Sequence, residues 1–437
     1  MKLEIVELPY LKNTTPLLQA LQCKGDLVAL ESCATGHENG RWSIISAEPL
    51  ESYRPTEIKN KEKLWQTLDK MHASIPFTRS NLPFIGGLLG QITYDLGLTN
   101  SRCELNLKKI PRLPIVIVGL YTWAFLIDHK EKNSRLVFWN MSTKTSKSEL
   151  IQIFNSTSLK KDDFLLTRKF QPRWSADNYK NKIKAIHKYI ADGDAYQVNL
   201  AQCFIAKYKG NHLNAYTKLK EQANVPFASY IESEYHAFAS ASPELFLSVT
   251  DGKIVSKPIK GTRPRHHDTL IDNENKKELA SSSKDRAENL MIVDLLRNDL
   301  SKNAKTVSVP DLFKVESFST VHHLVSTINA TLSDSVSPLK LFLDAFPGGS
   351  ITGAPKKRAM EIIAELEEFP RSYYCGSAFY YSANRNFNSN ILIRGFLFNE
   401  GEVHCWAGGG IIQDSTWQAE YQESLDKISK LMKSLYY

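Results

Sequence analysis

An α+β fold built on antiparallel β-sheets is what this sequence of 437 residues predicts. Short apolar–polar alternations of the strand type fill the first third. Clear amphipathic helix signals appear only in the second half. The two kinds never alternate in the regular β-α-β order that a parallel sheet requires. Composition agrees with a globular chain, at 42% hydrophobic and 23% charged residues. A prior of about 100–200 residues per domain gives two or three units. Lys and Arg supply a net charge of +8, but as scattered singles and doublets. The basic stripe of a nucleic-acid footprint is missing, and a small anionic substrate fits better than a polyanion.

Taken in order, the first ten residues alternate apolar with charged and read as a strand, without the apolar core of a signal peptide. Strands follow at 26–31, 41–46 and along the apolar stretch 113–127. No apolar run is long enough to span a bilayer, which predicts a cytoplasmic protein. Cys23, Cys33, Cys103, Cys203, Cys375 and Cys405 are dispersed without a Cys-x-x-Cys pair, as expected of reduced, buried thiols. The sequence therefore divides into a strand-rich region 1–140, a polar connection 141–172 and a second region 173–437. That second region opens on a helix capped by Ser175, with Tyr179, Ile183, Ile186 and Ile190 on one face and Gly193 as its stop. A strand at 196–200 comes next. Further on, Asp251-Gly252 predicts a hairpin between 245–249 and 253–256. A two-residue loop pairs Glu244 with Ile259, whereas a three-residue loop puts Glu244 and Lys260 on one face. Either register brings a carboxylate and an amine together. Residues 284–299 read as a largely buried helix carrying acids and amides.

Lys260 lies between Pro258 and Pro264 and next to Gly261, a stiff setting with room for a close neighbour. Glu420 and Glu423, three apart on a predicted helix, share a face and repel unless a cation joins them; a hard ion such as Mg²⁺ takes oxygen ligands. The glycine-rich stretches 346–356 and 407–411 offer backbone N–H groups to an oxyanion. Ala354-Pro355 stands where a nucleotide-binding loop needs Lys-Ser or Lys-Thr, so that chemistry is excluded. Arg394, at the end of an apolar strand, wants a carboxylate from protein or ligand. His323, alone, reads as a satisfied core histidine.

Together and in this order, the segments 194–202, Ser242-Pro243-Glu244, Pro258 to Thr262, 287–299, 323–326, 348–356, Arg394, 408–411 and 419–423 resemble the chorismate-utilising enzymes. In the first half, 41–49, 83–87 and 94–97 match as well. The resemblance implies a layered α/β/β/α sandwich. It also separates subtypes: anthranilate synthases usually carry alanine where this chain has Lys260, and aminodeoxychorismate synthases carry lysine. The implied reaction makes 4-amino-4-deoxychorismate from chorismate and ammonia, on the way to p-aminobenzoate and folate. Lys260 would be the nucleophile and Glu244 the acid/base. Mg²⁺ would sit on Glu288, Glu420 and Glu423. Gly261, Thr262, His323, Ser350, Thr352, Gly353, Tyr380, Arg394, Gly408, Gly409 and Gly410 would bind substrate. Ser32, Asn39, Gly40, Arg41, Trp42, Pro226, Phe227 and Ala228 resemble the family's tryptophan pocket. No Gly-x-Cys-x-Gly nucleophile turn is present, so a separate glutamine amidotransferase subunit is expected to supply ammonia. Phe379, Asn388 and Gly395 depart from the usual pattern near the expected substrate wall. An anthranilate-type synthase and a non-enzymatic chorismate or tryptophan sensor are the alternatives.

Overall fold

The computed structural model describes residues 1–99, 113–141, 143–156, 158–159, 163–318 and 321–436. Among these residues, two antiparallel sheets, of 12 and 10 strands, pack face to face. The first runs from Leu3–Leu8 at one edge, through Trp42–Ser46, Val28–Glu31 and Phe227–Glu232, to Glu402–Ile411 and Gln197–Lys209. The second runs from Ile259–Pro264 through Val321–Leu332, Lys253–Lys257 and Leu245–Thr250 to Gly87–Ile92 and Glu51–Tyr53. One continuous core fills the space between the sheets, with Val28, Ile231 and Trp406, and the space between the second sheet and its helices, where Phe246 packs on Phe342. A second fills the space between the first sheet and helices Thr15–Leu21, Lys147–Asn155, His212–Gln222 and Trp417–Ser434. Helices Lys61–His72, Ser283–Ser301 and Pro338–Ala345 cover the other sheet. The result is the layered α/β/β/α sandwich.

Both sheets contain strands from before residue 140 and from after 173, and in each the two groups form separate blocks that meet at one junction. Val28–Glu31 pairs with Phe227–Glu232, setting Glu31 beside Ala228. The apolar stretch 113–127 is two strands, Val116–Tyr121 and Trp123–Asp128, which break at Thr122 and belong to different sheets. Within the polar 141–172 lie a helix, Lys147–Asn155, capped by Ser146, and an edge strand, Leu165–Pro172. The Ser175 hydroxyl accepts from the Asn178 N–H, starting helix Ala176–Ala191 as its pattern predicts.

Several expectations change. Cys23 is exposed and Cys33 half-buried; only Cys203, Cys375 and Cys405 are buried thiols, and Cys103 lies outside the described residues. Helix Ser283–Ser301 is amphipathic, burying Asn289, Ile292, Val293, Leu296, Asp299 and Leu300 while Leu290 faces solvent. Arg394 sits between strands with φ +54°, because the chain there crosses from one sheet to the other. Gly408–Gly410 form no loop. They lie inside strand Glu402–Ile411, opposite Ala201, Leu200 and Asn199. Among the described residues, no helix is long and apolar enough to cross a membrane.

Candidate active site

The cleft forms where the chain passes between sheets at Ser242-Pro243-Glu244, from strand His236–Ser242 of the first sheet to Leu245–Thr250 of the second. Asp251-Gly252 makes the tight turn, with φ +50° and +74° and Thr250 opposite Lys253. A bulge between Leu245 and Ser248 then shifts the register by one, so that Leu245 faces Lys257. Neither simple register holds to the base of the hairpin. The carboxylate and the amine still converge: Glu244 accepts from the Ile259 backbone and the Ser350 hydroxyl, and feels the charge of Lys260. Burial holds the Glu244 carboxyl above the usual range, against the pull of Ser350 and Lys260.

Lys260 lies on the edge strand Ile259–Pro264, opposite Leu324. Its amine stands 3.5 Å from the Ser350 carbonyl oxygen and 3.8 Å from Glu288 Oε2. Gly261 then makes a bulge with φ +73°. A Cβ there would come within 2.8 Å of both Asp285 Cγ and Leu279 Cδ1, so the missing side chain admits the start of the helix that bears Glu288. Thr262 is bonded to His323 Nδ1 at 2.8 Å. Burial first, and the Arg394 charge second, pull the imidazole down to about 4, which keeps it neutral near pH 7. Arg394 is half-buried, and burial lowers its pKa.

The glutamates approach from two helices. Helix Trp417–Ser434 lies over Gly409, where a Cβ would be 3.2 Å from Glu420 Oε2 and 3.5 Å from Glu423 Oε1. Burial and the neighbouring Glu423 raise the Glu420 carboxyl. Glu423, although burial opposes it, is held low by Lys427 at 2.6 Å. Glu288 takes a 3.2 Å hydrogen bond from Gln197, whose side chain fills the space over Gly410. Among the described residues no three acidic, histidine or cysteine side chains close into a metal cage. Glu420 and Glu423 instead bring hard oxygen donors together over Gly409, and Mg²⁺ is commonly held by one or two carboxylates with waters and substrate oxygens. The donors fit that ion. Thr352 spends its hydroxyl on the carbonyls of Gly348 and Gly349, both at 3.2 Å, and Gly353 pairs with Val198.

Sequence reasoning missed Lys427, Lys284 and Gln197. Lys284 stands 4.0 Å from Glu420. Both lysines lie four residues from a site glutamate on the same helix, a spacing that places them on its face.

Tyr380 lies elsewhere, in a cavity of about 200 Å³ at the seam between strands Val28–Glu31 and Phe227–Glu232. Asn39, Arg41, Trp42, Pro226, Phe227 and Ala228 line it, as do Glu31, Asn388 and Asn390. Ser32 and Gly40 pack together, since a Cβ on Gly40 would reach within 2.9 Å of the Ser32 hydroxyl. Arg41 is locked on buried Asp128 at 2.7 Å and lies over the Trp42 ring. Phe379 faces the core, against Phe342 and Phe387, and so lies outside any substrate wall.

Residues 27–433 match the family model described as "chorismate binding enzyme". The chain is 40% identical over 423 residues to aminodeoxychorismate synthase component 1 of Escherichia coli K12, covering 93% of this chain and 92% of that protein. It is 31% identical to anthranilate synthase component 1 of Bacillus subtilis 168, covering 91% of this chain and 82% of that one. Anthranilate synthase component I from Streptococcus pneumoniae TIGR4 superposes with a TM-score of 0.80 at 26% identity, over 90% of this chain and 92% of its own. The isochorismate synthase MenF of Escherichia coli shares the fold, with a TM-score of 0.76 at 18% identity, over 100% of this chain and 95% of its own.

Gly261→Ala tests the close approach. It combines a left-handed φ with a side chain that meets Asp285 and Leu279. The expected loss is about 1–3 kcal/mol in denaturant unfolding, with a larger fall in turnover as the Glu288 helix is pushed away. Wild-type stability and turnover in this variant would show that the approach is slack.

Proposed function

The chain belongs to the chorismate binding enzyme family, and from that premise we propose that it forms 4-amino-4-deoxychorismate from chorismate and ammonia. The product leads to p-aminobenzoate and folate. The observation that carries this reading is the Lys260 amine, 3.8 Å from Glu288 and joined through Ser350 to Glu244. A solvated surface lysine has no such company. The lone pair of the Lys260 nitrogen attacks C2 of chorismate; the ring double bond shifts and the C4–O bond breaks. Glu244, kept protonated more readily by burial, gives the departing hydroxyl its proton, so that water leaves. Ammonia then adds at C4, the double bond shifts back, and the C2–N bond to Lys260 breaks.

Chorismate is a dianion. Arg394 and those N–H groups of 408–410 that point away from strand Gln197–Lys209 suit its enolpyruvyl carboxylate, because that strand edge has no partner strand beyond Cys405 among the described residues. Glu288, Glu420 and Glu423 would hold Mg²⁺, which when bound supplies positive charge for the ring carboxylate. The expected partner is a glutamine amidotransferase subunit, in keeping with the "component 1" in the relatives' name. The seam cavity suits tryptophan in size and in its aromatic lining, Trp42, Phe227 and Tyr380.

Lys260→Ala is expected to lower 4-amino product by about 10²–10⁴-fold, the scale for a group that handles the reacting bonds. Intact-mass spectrometry of wild type with chorismate, Mg²⁺ and no ammonia should show an adduct that the variant lacks. A variant making 4-amino product at the wild-type rate would sink the mechanism, and anthranilate as the wild-type product would overturn the subtype.

The isolated chain is expected to use ammonium salts only with a divalent ion, and not to use glutamine. Full turnover in excess chelator would remove the metal from the site. Product from glutamine alone would reveal an overlooked glutaminase centre.

Calorimetric titration with tryptophan should give one site per chain, abolished by Ala378→Trp, which shares the Tyr380 face of its strand and fills the cavity, with Lys260 chemistry unaffected. Binding that survives the filled cavity places the ligand elsewhere.

A further inference from the structure

The groups that touch Lys260 do not by themselves explain why the turn around Ser350 stands where it does. Lys356, the first residue of helix Lys356–Leu366, turns its amine back under that turn. It donates to the carbonyls of Ala345 at 3.0 Å and Pro347 at 2.8 Å, and forms an ion pair with Asp299. Three acceptors satisfy the three N–H bonds of an ammonium. Asp299 belongs to helix Ser283–Ser301, the same helix that carries Glu288, and Lys302 holds its other oxygen at 3.2 Å. The Lys356 and Asp299 side chains are only 17% and 6% exposed. A buried charge pair gives up its hydration, and holds only where every partner is in place. That helix also packs directly on the turn, since a Cβ on Gly349 would come within 2.6 Å of Leu295. On the inner side of the turn are the Ser350 carbonyl, 3.5 Å from the Lys260 amine, and the Ser350 hydroxyl on Glu244.

We propose that Lys356 is a positioning residue for the reaction and Asp299 its fixed counter-ion. Together they tie the helix bearing Glu288 to the turn bearing Ser350, and so set the spacing of Glu244, Ser350 and Lys260 from outside the cleft. Neither side chain touches the reacting atoms. Other restraints on the turn act within it, from the side of the first sheet, and from helix Lys61–His72: Thr352 on Gly348 and Gly349, Arg371 on the Ile351 carbonyl at 2.8 Å, and Lys61 on the Phe346 carbonyl at 3.4 Å. Lys356 is the charged link to the Glu288 helix. The inference rests on reading Lys260 and Glu244 as the reacting groups.

Lys356→Met and Asp299→Asn would be compared with wild type in pH–rate profiles for ammonium-dependent 4-amino product. Tyr230→Phe serves as a control for stability alone, since it loses a buried 2.7 Å bond to His212 in the second core. Both test variants are expected to lose about 10- to 100-fold in kcat, the scale of a small misplacement of reacting groups, with little change in KM for chorismate. The profile limb that Glu244→Gln abolishes should move to higher pH in both, because Glu244 loses the hydroxyl that favours its carboxylate. The control should keep the wild-type profile. Hydrogen exchange in 346–355 should quicken in Lys356→Met. If that variant does not fold, Asp299→Asn decides, since it keeps the shape of the pair and removes its charge. Folded variants with wild-type kcat and an unmoved limb overturn the inference, whatever exchange does. A wild-type chain that makes no 4-amino product would instead overturn the underlying reaction.

Discussion

The geometry of the cleft depends on one buried guanidinium. Arg371, almost wholly enclosed, is bidentate on Glu367 at 2.7 Å through both Nε and Nη2. It donates to the Ile351 carbonyl at 2.8 Å and to the Asn199 carbonyl at 3.0 Å. Glu367 in turn accepts from the Ala201 N–H at 2.8 Å. A planar fork of donors on three separate nitrogens is what such a junction needs, because a lysine's N–H bonds all leave one atom and would not span it. Through it the glycine-rich turn that carries Ser350 is fixed to strand Gln197–Lys209, whose far side pairs with Gly408–Gly410. The two glycine-rich stretches, separate in sequence, are thereby held against the same strand.

What was legible in the sequence follows from range. Local signals held: the Ser175 cap, the Asp251-Gly252 turn and the Glu420/Glu423 face each depend on residues within a turn or two. The nearness of Glu244 to Lys260 was legible for the same reason, one hairpin separating them. The bulge at Leu245–Ser248 was not, because it is shared with strand Phe387–Asn390, distant in sequence, which pairs along the opposite edge and carries a matching irregularity between Leu245 and Leu247. Nor was the break at Thr122, since an apolar stretch buried on both faces gives no period by which to see a change of sheet.

The site residues divide in the same way. Lys260, Glu244 and the glutamates were identified by order along the chain, and the structure draws them into one cleft. Tyr380 shows where that method stops. It alternates with Phe379 along strand Ser377–Ser382, so one side chain packs under helix Pro338–Ala345 against Phe342 and the other faces the seam cavity. Which face meets which space is a tertiary fact, with a one-residue period, and no motif spacing contains it.

Charge explains why the cleft needs so many paired groups. Around Lys260 stand the carboxylates Glu244, Glu288, Glu420 and Glu423 and the further ammonium groups of Lys284 and Lys427. Four acids stand against three amines and the Arg394 guanidinium, and burial favours the protonated form of Glu244 and Glu420. A dianion entering alone would add two negative charges beside those carboxylates in a poorly hydrated space, where like charges are most costly. Entering with a divalent cation, it leaves the balance unchanged. The lysines beside Glu420 and Glu423 keep the carboxylates together in the absence of substrate, so the cleft need not be rebuilt each time the anion arrives.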